Sequence, residues 1–248
     1  ALCGARLTTS VTRVGGMYKD LPEGWVEWCR RVVNNLPRTL DDVDTLLTAN
    51  RIWIDRTKGV GPISKENALE YGFTGPCLRA TGIPYDIRKA MPYYDYDKFS
   101  WNVVTESEGD TYARYLVRMG EMRESLKIIQ QALDDIPGGP VNIDDWSICL
   151  PPKDQVYNSI EGLMAHFKLI MHGIRPPSGE VYACTEAANG ELGFHVTSDN
   201  QGRPYRVRVR PPCFAIYQAF PEMCMGQTVS DAVATLGSLN IVAGELDR

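Results

Sequence analysis

A chain of 248 residues, 44% hydrophobic and 23% charged, sits within the composition of globular proteins and is long enough to bury a sizeable core. Its 26 Lys and Arg against 31 Asp and Glu leave a formal charge of −5, which argues against nucleic acid as the main partner. No apolar run reaches the length that crosses a bilayer and nothing at the start resembles a signal peptide, so any membrane association is expected to come through partners.

In chain order, Asp20 is placed to cap a helix over 22–35, with Pro22 in its first turn, and a second helix is expected from about Leu40 to Thr48. KGVGPIS at 58–64 begins like a glycine-rich loop. The third glycine and the leading apolar strand are missing, so it reads as a turn before a short helix capped by Ser64 and ended by Gly72. From Asp110 to Ile136, Tyr112, Tyr115, Met119, Met122, Leu126, Ile129 and Leu133 recur at alternating spacings of three and four. That stripe predicts a helix facing a neighbour over about 40 Å. PGGP at 137–140 stops it, and Val156, Ile160, Leu163, Phe167 and Ile170 predict a second helix over 154–172, forming an antiparallel hairpin with the first.

Pro-Pro pairs at 151–152, 176–177 and 211–212 punctuate the second half. GEVYACTE and GELGFHVTSD read as strands, DNQG as a turn and PYRVRVR as the returning strand. On it Arg206, Arg208 and Arg210 alternate with Val207 and Val209, and the arginines are expected to be anchored by carboxylates. Thr228 with Asp231 resembles a capping box opening a last helix. Without repeats or low-complexity linkers, the chain reads as one domain, 1–248. Its fold class is mainly α with a small antiparallel β-sheet (α+β), a helical bundle with the sheet beside it.

The residues alone offer little catalytic signal. There is no Walker sequence and no G-x-S-x-G. Seven cysteines without a C-x-x-C pair, and His166, His172 and His195 scattered without H-x-x-x-H spacing, predict reduced, mostly buried thiols and no bound metal. Three polar clusters remain, at 78–93, 185–193 and 239–248. They are equally compatible with close approach to a ligand and with buried ion pairs that hold the bundle together.

Taken together and in order, GARLTTSVTRVGG with DLP (4–22), LRATGIPYDIRKAMPY, GDTYARYLVRMGEMRES, HFKLIMHG with PPSGEVY, TEAANGELGFHVTSD, PYRVRVRPP and NIVAGELDR closely resemble the 49-kilodalton (D-type) subunit of proton-pumping NADH:quinone oxidoreductase, respiratory complex I. That family is related to the large subunit of nickel–iron hydrogenases. Where a hydrogenase has D-P-C-x-x-C, this chain has Asn240 to Glu245, with no thiolate to hold a metal. The resemblance implies a former metal pocket reused as a quinone headgroup cavity, facing the terminal 4Fe-4S cluster of a neighbouring subunit. Quinone is then the substrate, this chain binds no cofactor, and NADH and FMN belong to other subunits. The implied partners are the small cluster-bearing subunit, the 30-kilodalton subunit and the membrane subunit at the quinone entrance. The implied location is peripheral, on the cytoplasmic side of the inner (plasma) membrane. The alternative is the corresponding large subunit of a ferredoxin-linked oxidoreductase or a membrane-bound hydrogenase-related complex.

By the same resemblance the cavity is lined by Arg13, Val14, Gly15 and Gly16, by Asn189 and Gly190, and by Asn240, Val242 and Leu246, with Asp247 and Arg248 as the closing Asp-Arg. Three departures stand out. Asn189 replaces the usual Arg or Lys, Asn240 the usual Asp, and Thr8, after Arg6 and Leu7, the frequent histidine. The first two losses are of opposite charge and compensate if the positions interact. The family's quinone-binding histidine and tyrosine lie on a hairpin before GARL, which implies that half of the headgroup site stands outside these residues. Ala1 in place of Met accords with an excised or processed chain.

Overall fold

The computed structural model describes Ala5 and residues 9–247; residues 1–4, 6–8 and 248, among them Cys3, Arg6, Leu7, Thr8 and Arg248, lie outside the described residues. The chain divides into two compact units, one of Ala1–Arg30, Asp135–Tyr182 and His195–Arg208, the other of Arg31–Asp134, Ala183–Phe194 and Val209–Arg248. The architecture is α+β, helices with two small antiparallel sheets.

In the first unit, β1 (Thr12–Arg13) and β2 (Gly16–Met17) form a two-residue antiparallel ribbon with Thr12 opposite Met17 and Arg13 opposite Gly16. The predicted helix over 154–172 is two helices, α7 (Lys153–Asn158) and α8 (Ile160–His172). The break is Ser159, extended at φ −134°, whose hydroxyl accepts the Gly162 N–H and caps α8. α8 packs on α7. The spacing predicts hairpin core for its apolar stripe, yet Ile160 is 77% exposed and Leu163, Phe167 and Ile170 are exposed as well. Helical spacing establishes that these side chains share a face; it does not supply a surface to cover them.

The expected pair of helices over 22–35 and 40–48 is one helix, α1 (Trp25–Val43), with Pro37 inside it, followed by a π-helical turn at Asp44–Thr48. Proline removes one backbone donor from the ladder. Val33 and Leu40, two turns apart on either side of it, are both buried, and that shared burial carries the helix through. Next come α2 (Arg51–Thr57), α3 (Lys65–Glu70), capped by Ser64 as expected, α4 (Gly75–Arg79) and α5 (Ile87–Ala90).

The long helix is α6, Thr111–Asp134, and Asp110 caps it by accepting the Ala113 N–H at 2.7 Å. Its predicted stripe is only partly the buried face. Met119, Leu126 and Leu133 are buried, whereas Met122 and Ile129 are exposed, and Ala113, Arg114 and Val117 form the packed surface of its first half. A straight helix drifts by roughly 20° per heptad against a strict 3,4 repeat, so one stripe cannot face one neighbour along 24 residues. The neighbours of α6 in its own unit are α4, α11 and α2.

The predicted strands are present as β3 (Gly179–Ala187), β4 (Gly190–Ser198) and β5 (Arg206–Arg210), in that order in one antiparallel sheet. Helices α9 (Pro212–Gln218), α10 (Phe220–Cys224), α11 (Val229–Leu239) and α12 (Ala243–Leu246) complete the chain, and Thr228 and Asp231 form the expected capping box at the start of α11. The main core of the second unit joins Ile63, Ala68, Phe73, Cys77 and Leu78 to Ile216, Ala219, Met223 and Leu239. Cys77 and Cys213 are buried, while the other described cysteines are half-buried. Among the described residues no helix is long and apolar enough to cross a membrane.

Candidate functional site

Asn189 occupies the turn between β3 and β4 and is buried. Asn240 ends α11 in the left-handed conformation, φ 55° and ψ 49°, which asparagine tolerates better than most residues. The two positions, 51 residues apart in sequence, are in direct contact. The Asn240 amide donates to Asn189 Oδ1 at 2.7 Å, and the Asn189 amide donates to the Asn240 carbonyl at 2.9 Å and to Cys213 Sγ at 3.1 Å.

Cys213, fully buried in the first turn of α9, ties this pair to the C-terminal segment. Its sulfur accepts the Val242 N–H at 3.4 Å, and its own N–H donates to Glu245 Oε2 at 3.0 Å. Burial, then the hydrogen bond to Glu245, push the thiol up to about 11, so it holds its proton at neutral pH. Val242 is exposed, Leu246 half-buried and Asp247 exposed.

Gly190 sets the height of the turn. Its φ is +131°, and a β-carbon there would collide with the Thr74 hydroxyl. Thr74 Oγ1 accepts the Glu191 N–H at 3.0 Å and one N–H of Arg210 at 3.1 Å. Arg210 also donates to the Glu191 carbonyl at 2.7 Å and the Gly72 carbonyl at 2.8 Å. This corrects the expectation of carboxylate anchors on β5: the half-buried arginine staples backbone carbonyls, and Arg206 and Arg208 are exposed. A guanidinium with five donors is suited to bridging several carbonyls at once.

Behind the turn lies a buried ion cluster. Arg79 donates to Glu121 at 2.6 Å, to Glu186 at 2.9 Å and to the Tyr85 carbonyl at 2.9 Å, and lies 3.3 Å from Asp86. Arg88 grips Asp86 with two bonds, at 2.7 and 2.9 Å. The Tyr93 hydroxyl accepts the Glu186 N–H at 3.0 Å. Burial pushes the Glu186 carboxyl up, with Asp86 adding to the shift against the pull of Arg79. Burial also acts to raise Asp86, but its bonds to Arg88 and the charge of Arg79 outweigh it and hold that carboxyl low. The ion-pair reading for 78–93 and 185–193 is realised at Arg79, Asp86, Arg88 and Glu186. The cluster fixes the end of β3 three residues before Asn189.

Asn240 also borders an open cavity of about 670 Å³ among α2, α6 and α11, whose walls include Trp53, Tyr115, Arg118, Val233 and Ser238. The Arg118 guanidinium meets the Arg114 carbonyl at 3.3 Å and Cys77 Sγ at 3.9 Å.

In the first unit, Arg13, Val14, Gly15 and Gly16 form the ribbon and its tip. Val14 is 68% exposed, Gly15 has φ +86°, and Arg13 folds back to donate to Ser10 Oγ at 3.0 Å and the Thr12 carbonyl at 2.8 Å. Thr8 and Arg248 lie outside the described residues. Within the second unit the structure thus brings together Asn189, Gly190, Asn240 and Val242, with Leu246 on the adjoining α12, while 13–16 form the ribbon of the first unit. Sequence reasoning missed Cys213 and Thr74. A cysteine directly after Pro-Pro carries no spacing signal, and only folding brings it to position 189.

The profile of the family described as respiratory-chain NADH dehydrogenase, 49-kilodalton subunit, matches residues 1–248. The chain is 52% identical over 247 residues to the D-type NADH-quinone oxidoreductase subunit of Myxococcus xanthus, covering 100% of this chain and 60% of that protein. It is 53% identical over 247 residues to the combined C/D-type subunit of Bdellovibrio bacteriovorus, covering 44% of that protein. Against the D-type subunit of Leptospira biflexa the identity is 51% over 246 residues, with 99% of this chain and 61% of that protein covered. The chain therefore spans about three fifths or less of the length of these relatives.

Proposed function

Because this chain belongs to the respiratory-chain NADH dehydrogenase 49-kilodalton subunit family, we propose that it builds part of the quinone headgroup cavity of an NADH–quinone oxidoreductase, beside the terminal 4Fe-4S cluster of a neighbouring subunit. Electrons from NADH reach quinone through cofactors on other subunits, and their transfer is coupled to proton pumping. As in the sequence reading, the two units belong to one hydrogenase-large-subunit-like domain. It sits peripherally on the cytoplasmic side of the membrane, against the small cluster-bearing subunit, the 30-kilodalton subunit and the membrane subunit at the quinone entrance.

The observation that supports this reading is the contact between Asn189 and Asn240, two positions that the resemblance assigns to the lining of one cavity. Lost charges of opposite sign at touching positions leave no lone buried charge, so the wall survives both changes. The chemistry left to it follows from its donors. Quinone reduction consumes two protons, but the two amides do not titrate and the Cys213 thiol, raised to about 11, does not release its proton at neutral pH. These three side chains shape the wall and exclude water, while the protons come from other groups. Val242, exposed beside Cys213, presents an apolar surface suited to a quinone ring or its first isoprenoid unit.

The direct test is Val242→Trp in the assembled enzyme. A bulky side chain in the cavity should raise the KM for quinone while NADH oxidation by an artificial acceptor on the flavin side continues. A quinone KM equal to that of the unaltered enzyme would remove Val242 from the cavity and with it the C-terminal wall.

A further inference from the structure

We infer that the segment Val141–Cys149, acting mainly through Asn142, is the positioning element that fixes the Arg13–Val14 tip from behind. The inference rests on the proposed quinone role only for its kinetic consequence. Three contacts carry it. The Met17 N–H is shared between Asn142 Oδ1 at 2.9 Å and the Val141 carbonyl at 3.1 Å. The Ile143 N–H donates to the Gly15 carbonyl at 3.0 Å, and this bond with the Met17–Val141 bond makes the antiparallel bridge between Gly16 and Asn142. Cys149 Sγ lies 3.7 Å from the carbonyl oxygens of both Val14 and Gly15.

The fit is too close for a side chain at the ribbon. A β-carbon at Gly16, where φ is +152°, would collide with the Val141 carbonyl and the Asn142 amide oxygen. A two-residue ribbon is marginal by itself, so its orientation depends on this third segment. Support from behind leaves the front of the tip open: Arg13 and Val14 are exposed, and the Arg13 guanidinium stands 5.4 Å from the centre of the Tyr18 ring. The supporting segment holds its own shape, because the Asp145 carboxylate accepts the Ser147 N–H at 2.9 Å and its hydroxyl at 2.6 Å. Asn142 acts on the tip through the Met17 N–H and the bridge to Gly16, which makes it a positioning residue.

The test uses the assembled enzyme with Asn142→Ala, Asn142→Asp and Gly16→Ala, read by amide hydrogen exchange at Met17 and Ile143 and by quinone kinetics. Asn142→Ala removes one of the two acceptors of the Met17 N–H, and exchange there should quicken by about threefold to tenfold, the range that one lost hydrogen bond allows. Asn142→Asp keeps an acceptor oxygen in place and should exchange at the original rate. Gly16→Ala should quicken both Met17 and Ile143, because the added methyl forces the two segments apart. Unchanged Met17 exchange in Asn142→Ala overturns the positioning role. If exchange quickens and the quinone KM rises with kcat nearly constant, both the positioning role and the cavity assignment of the tip stand. If exchange quickens and the quinone KM stays fixed, Asn142 positions the ribbon but residues 13–16 leave the quinone cavity.

Discussion

Asn189 and Asn240 hold each other by reciprocal side-chain and main-chain bonds of 2.7 and 2.9 Å, so neither can be changed without altering the environment of the other. Asn189→Lys alone should bury an uncompensated cation, and Asn240→Asp alone should set a carboxylate against the Asn189 carbonyl oxygen. Each single change is expected to lower stability, and the double change to recover much of the loss. A double-mutant cycle by chemical denaturation should return a coupling of about 0.5–3 kcal/mol, the range for groups in contact. Strict additivity would mean that the two asparagines arose independently.

The ion cluster makes a sharper claim about which carboxylate matters. Arg79→Met leaves Glu186 and Asp86 facing each other without their shared cation and should cost about 3–5 kcal/mol. Asp86→Asn should cost more than Glu186→Gln. Asp86 is held below the ordinary carboxylate range by two arginines, so its charged form contributes, whereas Glu186 is pushed above it and the charged form is already strained. The signs differ with pH as well. The Asp86 contribution is lost as pH falls through its lowered folded value, and the Glu186 contribution is lost as pH rises through its raised folded value. Denaturation profiles of the two variants across pH 3–7 separate them.

Cys213 has a titration of its own. Its folded value of about 11 lies above the ordinary thiol value of 9.0, so the folded state keeps a proton that the unfolded state gives up. Its contribution is therefore fully present below about pH 9 and is lost as pH rises through about 11. The loss amounts to about 2–3 kcal/mol at roughly 1.4 kcal/mol per pH unit. The difference in unfolding free energy between the parent and Cys213→Ser should shrink over that interval. A difference independent of pH would show that the thiol is not held protonated in the fold.

Within α6, Leu126→Ala should destabilise by about 2–5 kcal/mol, as for other buried leucines. Ile129→Ala, on a side chain 38% exposed, should cost clearly less. Equal losses in thermal melting would restore the uniform stripe that the spacing predicted.

Much of the local structure was legible in the residues because it depends on near neighbours. Ser64, Thr228 with Asp231, and the strands on either side of DNQG read correctly, since a cap or a turn is completed within a few positions. The family was legible too, because many motifs in fixed order constrain one another along the chain. What the sequence left open was which groups meet. Pro37 reads as a breaker until Val33 and Leu40 are seen buried around it. The stripe on α8 reads as core until no described surface covers it, and the arginines of β5 read as ion-pair donors until Arg210 is found on backbone carbonyls. Only the tertiary structure could set Cys213 between Asn189 and Val242, or choose ion pairs for Arg79, Asp86 and Glu186. Periodicity reports which face a residue occupies, whereas charge pairing and burial are decided by residues distant in sequence that packing brings within about 3–4 Å.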